Sequence, residues 1–250
     1  MKTILSLVVG LAAVFGASAV NSCLTPSGSV AKCQLTSSGE LVLSFCGLRD
    51  EDHSDLTACL EAVGRRNIKE LNLLYNHLTT LPEGAFQGLE ALEVLHLQDN
   101  QLTTLPEGVF QGLRALEVLY LHGNQLTTLP KGVFQGLEAL KDLYLLYNQL
   151  TTLPEGVFQG LKALEVLNLQ DNQLTTLPEG VFQSLEALEV LWLEENPLQC
   201  LPMTSTPSSG IAGSPPSHGV CGCLDVNGEN PCGDGNTCTP GSVGYTCEDT

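Results

Sequence analysis

The sequence predicts a fold of the α/β class, a solenoid of stacked repeats, and three observations support this. A 24-residue unit recurs from Ile68 to Leu198. Each unit holds a short alternating apolar segment, followed by a segment that returns the chain and has helical spacing of its apolar residues. Each unit also carries more leucines than it can bury alone, so neighbouring units must cover one another.

Most of each unit is constant. The segment Leu-Thr-Thr-Leu-Pro-Glu-Gly-Val-Phe-Gln-Gly-Leu-Glu-Ala occurs five times. Among the 70 residues of these five copies, only five differ from it. The differing residues are Ala85, Arg114, Lys131, Lys162 and Ser184. The ten residues ahead of each copy hold most of the other differences. We infer that the constant part forms the scaffold and that the variable part holds the working surface.

The variable part of each unit contains a short strand. In the second unit Leu95 and Leu97 alternate with Val94, His96 and Gln98, which predicts one face inward and the other outward. The outward face is therefore free of any requirement from the core.

The constant part returns the chain along the back. Pro106 biases Leu105 towards extended angles. Phe110 and Leu113 are three positions apart, which suits a short helical or 3₁₀ turn that packs inward.

Two columns of the stack are expected to be structural. Stacking aligns five phenylalanines, Phe86, Phe110, Phe134, Phe158 and Phe182. It also aligns six asparagines, which should bond to backbone groups of adjacent turns because a buried polar side chain needs partners. These are Asn76, Asn100, Asn124, Asn148, Asn172 and Asn196.

The pattern L-x-x-L-x-L-x-x-N-x-L at this period is that of leucine-rich repeats. With Leu-Pro and then Gly-x-Phe-x-x-Leu in each unit, the chain resembles the extracellular subclass, especially variable lymphocyte receptors and, beyond them, Toll-like receptor ectodomains. The resemblance implies a curved horseshoe with a parallel sheet on its concave side. The repeat domain covers 68–199, and the cysteines on either side of it predict a disulfide-bearing N-terminal cap and a small Cys-rich C-terminal region.

The N-terminal end is expected to be an export signal and a cap. A charged start, an apolar run over 4–15 and a small-residue cleavage site predict a signal peptide at 1–19. The cap at 20–67 lacks the family's Cys-Pro opening. It contains a predicted strand over 41–46 and a short helix that Ser54 could cap and Gly64 could end.

The C-terminal end departs further from the family. Residues 196–200 resemble the start of its C-terminal cap, but the following cysteine and tryptophan motifs are missing. Residues 200–220 are rich in Pro, Ser, Thr and Gly and predict a flexible linker. Residues 221–250 weakly resemble the first half of an epidermal-growth-factor-like module, through Cys232, Cys238 and Cys247.

Cysteines and charge indicate the compartment and exclude some partners. The ten cysteines lie outside the repeats, four before and six after, which favours disulfides and secretion to the extracellular space. The net charge of −18 makes nucleic acid an unfavourable partner. No spanning apolar stretch follows the signal, so no membrane insertion is expected after its removal.

The outward strand positions form columns that hold the chain's only tryptophan and four of its five tyrosines. Aromatic side chains dominate binding sites, although they also favour strands intrinsically. The candidate ligand-binding residues are, in the central column, Asn72, His96, Tyr120, Tyr144, Asn168 and Trp192. The flanking columns add Val118, Val166 and Val190 on one side and His122, Leu146, Gln170 and Glu194 on the other, with Tyr147, Asp171 and Glu195 on the rim.

We therefore predict a secreted, non-enzymatic recognition protein that binds a protein epitope or an oligosaccharide on the concave face. The alternative is a structural or extracellular-matrix protein with a constitutive partner. No catalytic motif occurs, and neither a cofactor nor a metal site is expected, since His96 and His122 are too few ligands for zinc.

Overall fold

The computed structural model describes residues 35–198, 237–241 and 244–248, the last two ranges as backbone only. One α-helix occurs in the described residues, α1 at His53–Val63. The 3₁₀ turns Asp50–Asp52 and Arg65–Asn67 flank it. The first seven strands are β1 Glu40–Val42, β2 Glu70–Asn72, β3 Val94–His96, β4 Val118–Tyr120, β5 Asp142–Tyr144, β6 Val166–Asn168 and β7 Val190–Trp192.

These strands form one parallel sheet in sequence order, from β1 to β7. From β2 onward, each residue of a strand pairs with the residue one repeat later, so that Leu95 lies opposite Leu119. Backbone bonds continue the register past the strand ends, as from Asp99 N to His122 O at 3.0 Å. The predicted α/β solenoid with a parallel sheet is confirmed. It has one more strand than the repeats alone supply, because β1 precedes them.

The return segments form isolated turns of the 3₁₀ type and no continuous helix. Each contains separate four-residue turns, in which an N–H bonds to the carbonyl oxygen three residues earlier. In the second repeat these are closed by bonds from Val109 N to Pro106 O, Gln111 N to Gly108 O and Leu113 N to Phe110 O. Gly108 and Gly112 have φ values of 69° and 91°, and this left-handed backbone prevents a continuous helix.

The core is one continuous column of leucines closed at the back by phenylalanines. Phe86, Phe110, Phe134 and Phe158 are wholly buried, and Phe182 nearly so. Their rings stack with centroids 6.0–6.2 Å apart. Burying one such side chain contributes about 1.5–3 kcal/mol, so this predicted column is a main source of stability.

The asparagine column is confirmed as a backbone-bonding ladder. Asn124 Nδ2 donates to Leu97 O at 2.9 Å and to Leu121 O at 3.0 Å, and its Oδ1 accepts from Leu102 N at 3.0 Å. The same arrangement recurs with similar distances at the other five asparagines. Each asparagine therefore joins two repeats and satisfies buried backbone groups.

The N-terminal segment continues the solenoid. Leu41 lies opposite Leu71 in register, and its leucines belong to the same core as those of the repeats. Asp50 joins this segment to the first repeat. Its carboxylate accepts bonds from Thr79 N at 2.9 Å and Thr80 N at 3.2 Å, and also from the Thr79 hydroxyl.

The helix α1 starts earlier than predicted. Its N-cap position is Asp52, so Ser54 lies inside the helix, because the preceding 3₁₀ turn leads directly into it. It ends at Gly64, which has a φ of 81°. Leu56, Cys59 and Leu60 are its buried residues, and both Cys46 and Cys59 are disulfide-bonded.

Near the C-terminus, β8 Thr237–Gly241 and β9 Gly244–Glu248 form an antiparallel hairpin. The predicted signal peptide and linker lie outside the described residues, as do Cys232 and most of the predicted Cys-rich region.

Candidate ligand-binding face

The strand register brings the candidate residues into columns on the concave side of the sheet. His96 lies opposite Tyr120, Tyr120 opposite Tyr144, and Asn168 opposite Trp192. The columns arise because every strand has a buried leucine at its central position. The residues on either side of that leucine therefore point outward. The outward-facing residues of β2 to β7, with the rim residues that follow each strand, are called the concave face below.

The middle of the concave face is an aromatic ladder formed by His96, Tyr120 and Tyr144. The His96 and Tyr120 rings stack with centroids 4.7 Å apart, and those of Tyr120 and Tyr144 are 5.0 Å apart. His122 meets both tyrosines edge-on, at 5.9 and 6.4 Å. These contacts hold the four rings against each other, so the ladder is a preformed surface with little rotational freedom left to lose on binding.

Polar neighbours orient both ends of the aromatic ladder. His96 Nε2 lies 3.1 Å from Glu70 Oε1, and His96 Nδ1 lies 3.1 Å from Gln98 Nε2. Because the carboxylate can only accept, Nε2 carries the proton and the Gln98 amide donates to Nδ1. At the other end, burial and the nearby Asp142 carboxylate raise the pKa of the Tyr144 hydroxyl.

Burial lowers the pKa of both histidines on the concave face. For His96 the nearby Glu70 carboxylate opposes this effect without cancelling it. For His122 the proximity of His96 adds to it. The lowered pKa favours the neutral form of both rings.

The end of the concave face at β7 has a different character. Trp192 is partly buried. The acidic residues Glu194 and Glu195 lie on the turn after β7, and Asp171 lies on the turn after β6. A backbone bond of 3.0 Å from Asp171 N to Glu194 O places these turns side by side. Within the described part of the chain, Glu194 Oε2 is buried without a hydrogen-bond partner.

The flanking columns supply a partly buried border. Val118, Val166 and Val190 lie in register on one side of the central column, and Leu146 and Gln170 lie on the other. On the rim, Tyr147 is 58% exposed.

Two candidate residues are engaged locally in the sheet. Asn168 is buried at 7% exposure, and its Oδ1 accepts a 3.0 Å bond from Gln170 N. Asn72 makes the same type of bond to Leu74 N at 3.1 Å. Both side chains close the end of their own strand, and Asn168 also lies between Tyr144 and Trp192 in register, so it offers little surface to a ligand.

The structure adds one aromatic pair that the sequence interpretation overlooked. Phe45 and Tyr75 stack with centroids 4.8 Å apart and are 56% and 42% exposed. Residues 41–46 follow the L-x-L-x-x-N/C pattern, with Cys46 at the asparagine position. Aligning that pattern with the repeats would have placed Phe45 beside Tyr75 in the rim column.

The chain belongs to the leucine-rich repeat family. The family model matches residues 66–126, 116–174 and 147–198, which together span more than half of the chain. No curated protein sequence matches this chain.

Among solved structures, this chain is similar to a protein in a crystal structure described as a "TLR13-ssRNA13 complex". The two share 28% sequence identity, with a TM-score of 0.55 over 65% of this chain. The chain spans only 22% of the length of that one. The resemblance to Toll-like receptor ectodomains is thus confirmed for the repeat fold.

The described residues show neither a metal cluster nor a membrane span. No three His, Cys, Asp or Glu side chains among them are grouped closely enough to hold a metal ion. No described helix is long and apolar enough to cross a membrane.

Proposed function

We propose that this chain is a secreted, non-enzymatic recognition protein that binds a protein epitope or an oligosaccharide on its concave face. The observation that carries the proposal is the aromatic ladder of His96, Tyr120 and Tyr144, continuous across three strands. Scaffold needs do not account for it, since the buried leucines of the same strands already fill the core. Rigid aromatic surfaces of this kind are typical binding hot spots.

The size of the concave face favours a small ligand or epitope. Six strands about 4.8 Å apart, each about six residues long at 3.3 Å per residue, give a face of roughly 500 Å² over the repeats. A standard protein interface buries about 800 Å² on each partner. An oligosaccharide or a compact epitope therefore fits the face alone, and a larger protein would also use the rim.

Charge distinguishes this chain from a nucleic-acid receptor. The similar solved structure contains single-stranded RNA by its description, but here the net charge is −18 and the β7 end of the face carries Asp171, Glu194 and Glu195. A phosphate backbone would be repelled. We infer that this end favours a basic group or a network of sugar hydroxyls.

A binding screen tests the proposal. The purified chain is applied to arrays of glycans and secreted proteins, and the affinity of the best ligand is then measured for single variants. We expect Tyr120→Ala, Tyr144→Ala and Trp192→Ala each to weaken binding by about tenfold or more, as hot-spot truncations do. Glu194→Lys should weaken a basic or hydroxyl-rich ligand similarly.

The matched control is Gln149→Ala, an exposed substitution in the turn after β5. It should leave affinity unchanged. If binding survives all three aromatic substitutions in folded variants, the site is not on the concave face and the proposal is wrong.

A further inference from the structure

The return segments at the back of the solenoid carry basic residues at positions where most repeats have glutamate. Within the otherwise constant part of the repeat, Arg114 and Lys131 replace residues that are glutamate in most other repeats. Each substitution changes the local charge from negative to positive in a chain with 28 acidic residues. The two residues come from adjacent repeats, and both line one cavity of about 590 Å³ between the return segments.

Ion pairing sets these two residues apart from most of the other cations. Five of the lysines and arginines in the described part of the chain pair with glutamates, namely Arg65, Arg66, Lys69, Lys141 and Lys162. Arg114 and Lys131 make no ion pair with any described residue, although glutamates occupy the neighbouring positions of their columns. Arg49 shares this property but lies elsewhere, in a different cavity.

Lys162 provides a direct comparison, because it occupies the same repeat position as Arg114 two repeats later. Lys162 Nζ lies 3.2 Å from Glu186 Oε1 in the next repeat. Arg114 has Glu138 at the equivalent place but does not pair with it, and it lines the cavity instead. The charge of Lys162 is thus matched within the protein, whereas that of Arg114 is available to a ligand.

The rest of the cavity lining is polar. The side chains of Gln111 and Gln135 can both donate and accept hydrogen bonds, and Glu107 can accept them. Four glycines complete the lining, so no bulky side chain from those positions fills the space. A volume of this size is within the range of small-molecule sites and far exceeds the need of a bare ion.

We propose that this cavity binds a sugar that carries an oxyanion ester, either sulfate or phosphate. Arg114 and Lys131 hold the ester, since a guanidinium fork and an ammonium both make charge-assisted bonds to such oxygens. Gln111, Gln135 and Glu107 bond the sugar hydroxyls. This back site is independent of the concave face and of the ligand proposed for it.

Calorimetric titration of the full chain at low ionic strength tests the proposal with three probes. These are N-acetylglucosamine 6-sulfate, N-acetylglucosamine 6-phosphate and unmodified N-acetylglucosamine. We expect at least one ester to bind, with the unmodified sugar at least about tenfold weaker, because each charge-assisted bond is worth about a factor of ten or more. The relative affinities of the two esters identify which one the site prefers.

Variants that carry the residue found in most repeats separate a loss of binding from a loss of folding. Arg114→Glu with Lys131→Glu installs residues that other repeats already carry at those positions, so thermal unfolding should stay cooperative. The double variant should weaken ester binding by at least about tenfold. Lys162→Glu should leave it within about twofold of the original, because that lysine is already paired.

Three results would overturn the proposal. They are no ester binding at about 10 mM probe, equal binding of the unmodified sugar, or an equal loss in Lys162→Glu. Trp192→Ala reports separately on the concave face and should leave ester binding intact, so failure of one site does not decide the other.

Discussion

Asparagine occurs at two kinds of position in the repeats, and its environment determines what it does. Asn124 lies behind the sheet, where its amide satisfies three backbone groups from two repeats. Asn72 and Asn168 stand on the concave face, where each bonds only within its own strand end. The first role is required by the stack, and the second is one of several ways to fill a variable position.

Replacing Asn124 with alanine should cost on the order of 3 kcal/mol in the free energy of unfolding, because buried backbone groups of Leu97, Leu121 and Leu102 lose their partner. Urea unfolding measures this. Asn196→Ala is the matched control at the end of the stack, where the asparagine is only partly buried, and its loss should be smaller. Equal losses would show that burial of the ladder does not set its energy.

Gly123 occupies a rim column in which the backbone is left-handed. Non-glycine residues of this column, such as Asp99 and Tyr147, hold φ values of 54° and 52°, so the backbone alone does not require glycine. Gly123 has a φ of 66°, and a Cβ there would crowd the Asp99 carboxylate, the free end of a side chain that can turn away. Gly123→Ala should therefore destabilise the fold by no more than the roughly 1 kcal/mol of left-handed strain. Gly112→Ala is the comparison: a Cβ there meets nothing within 4 Å, but its φ of 91° lies beyond the values that the rim residues adopt, so its loss should be larger. Thermal unfolding of both variants tests this, and an equal loss would contradict it.

Within each strand, buried residues alternate with residues that face outward on the concave face. The alternation of leucines and the 24-residue period place every outward residue in its column, so the columns of the concave face could be predicted from sequence. Contacts within the columns could not, because the burial of Asn168 and the edge-on position of His122 depend on which neighbours happen to be large. The return segments form isolated turns, since paired glycines with positive φ interrupt the helical spacing.

The histidines of β3 and of the turn after β4 predict a pH dependence of stability. Burial holds the folded pKa of His96 and His122 below the ordinary value near 6.5. At pH values between the folded and the unfolded pKa, the unfolded chain binds more protons than the folded chain does. The free energy of unfolding is therefore at its full value above pH 7 and falls as the pH drops below the unfolded pKa towards the folded one.

Unfolding free energies at pH 7.5 and 5.5 measure this loss, and it should be smaller in His122→Gln. Burial raises the pKa of Asp99 and Asp142, so these carboxyls act in the opposite direction. A loss on acidification that is unchanged in His122→Gln would exclude that residue as a cause.

For the whole molecule, the constant and variable parts of the repeat occupy separate regions of the solenoid. Phenylalanines, leucines and asparagines of the constant positions form the core and its ladder. The variable positions form the concave face, with an aromatic middle and an acidic β7 end. The strand β1, which precedes the repeats, was predicted over 41–46 but not aligned with them, because Cys46 stands after it in place of the asparagine that marks the other strands.

The most direct test of this separation makes the concave face uniform. In one variant, His96, Tyr120, Tyr144 and Trp192 become asparagine, and His122 and Glu194 become glutamine. Asparagine already occurs in the central column of this chain, and glutamine already occurs in the flanking column of His122 and Glu194. Affinity for the ligand found in the screen is measured together with the free energy of unfolding. We predict that binding is lost while unfolding stays cooperative; retained binding, or a chain that no longer folds, would contradict the account.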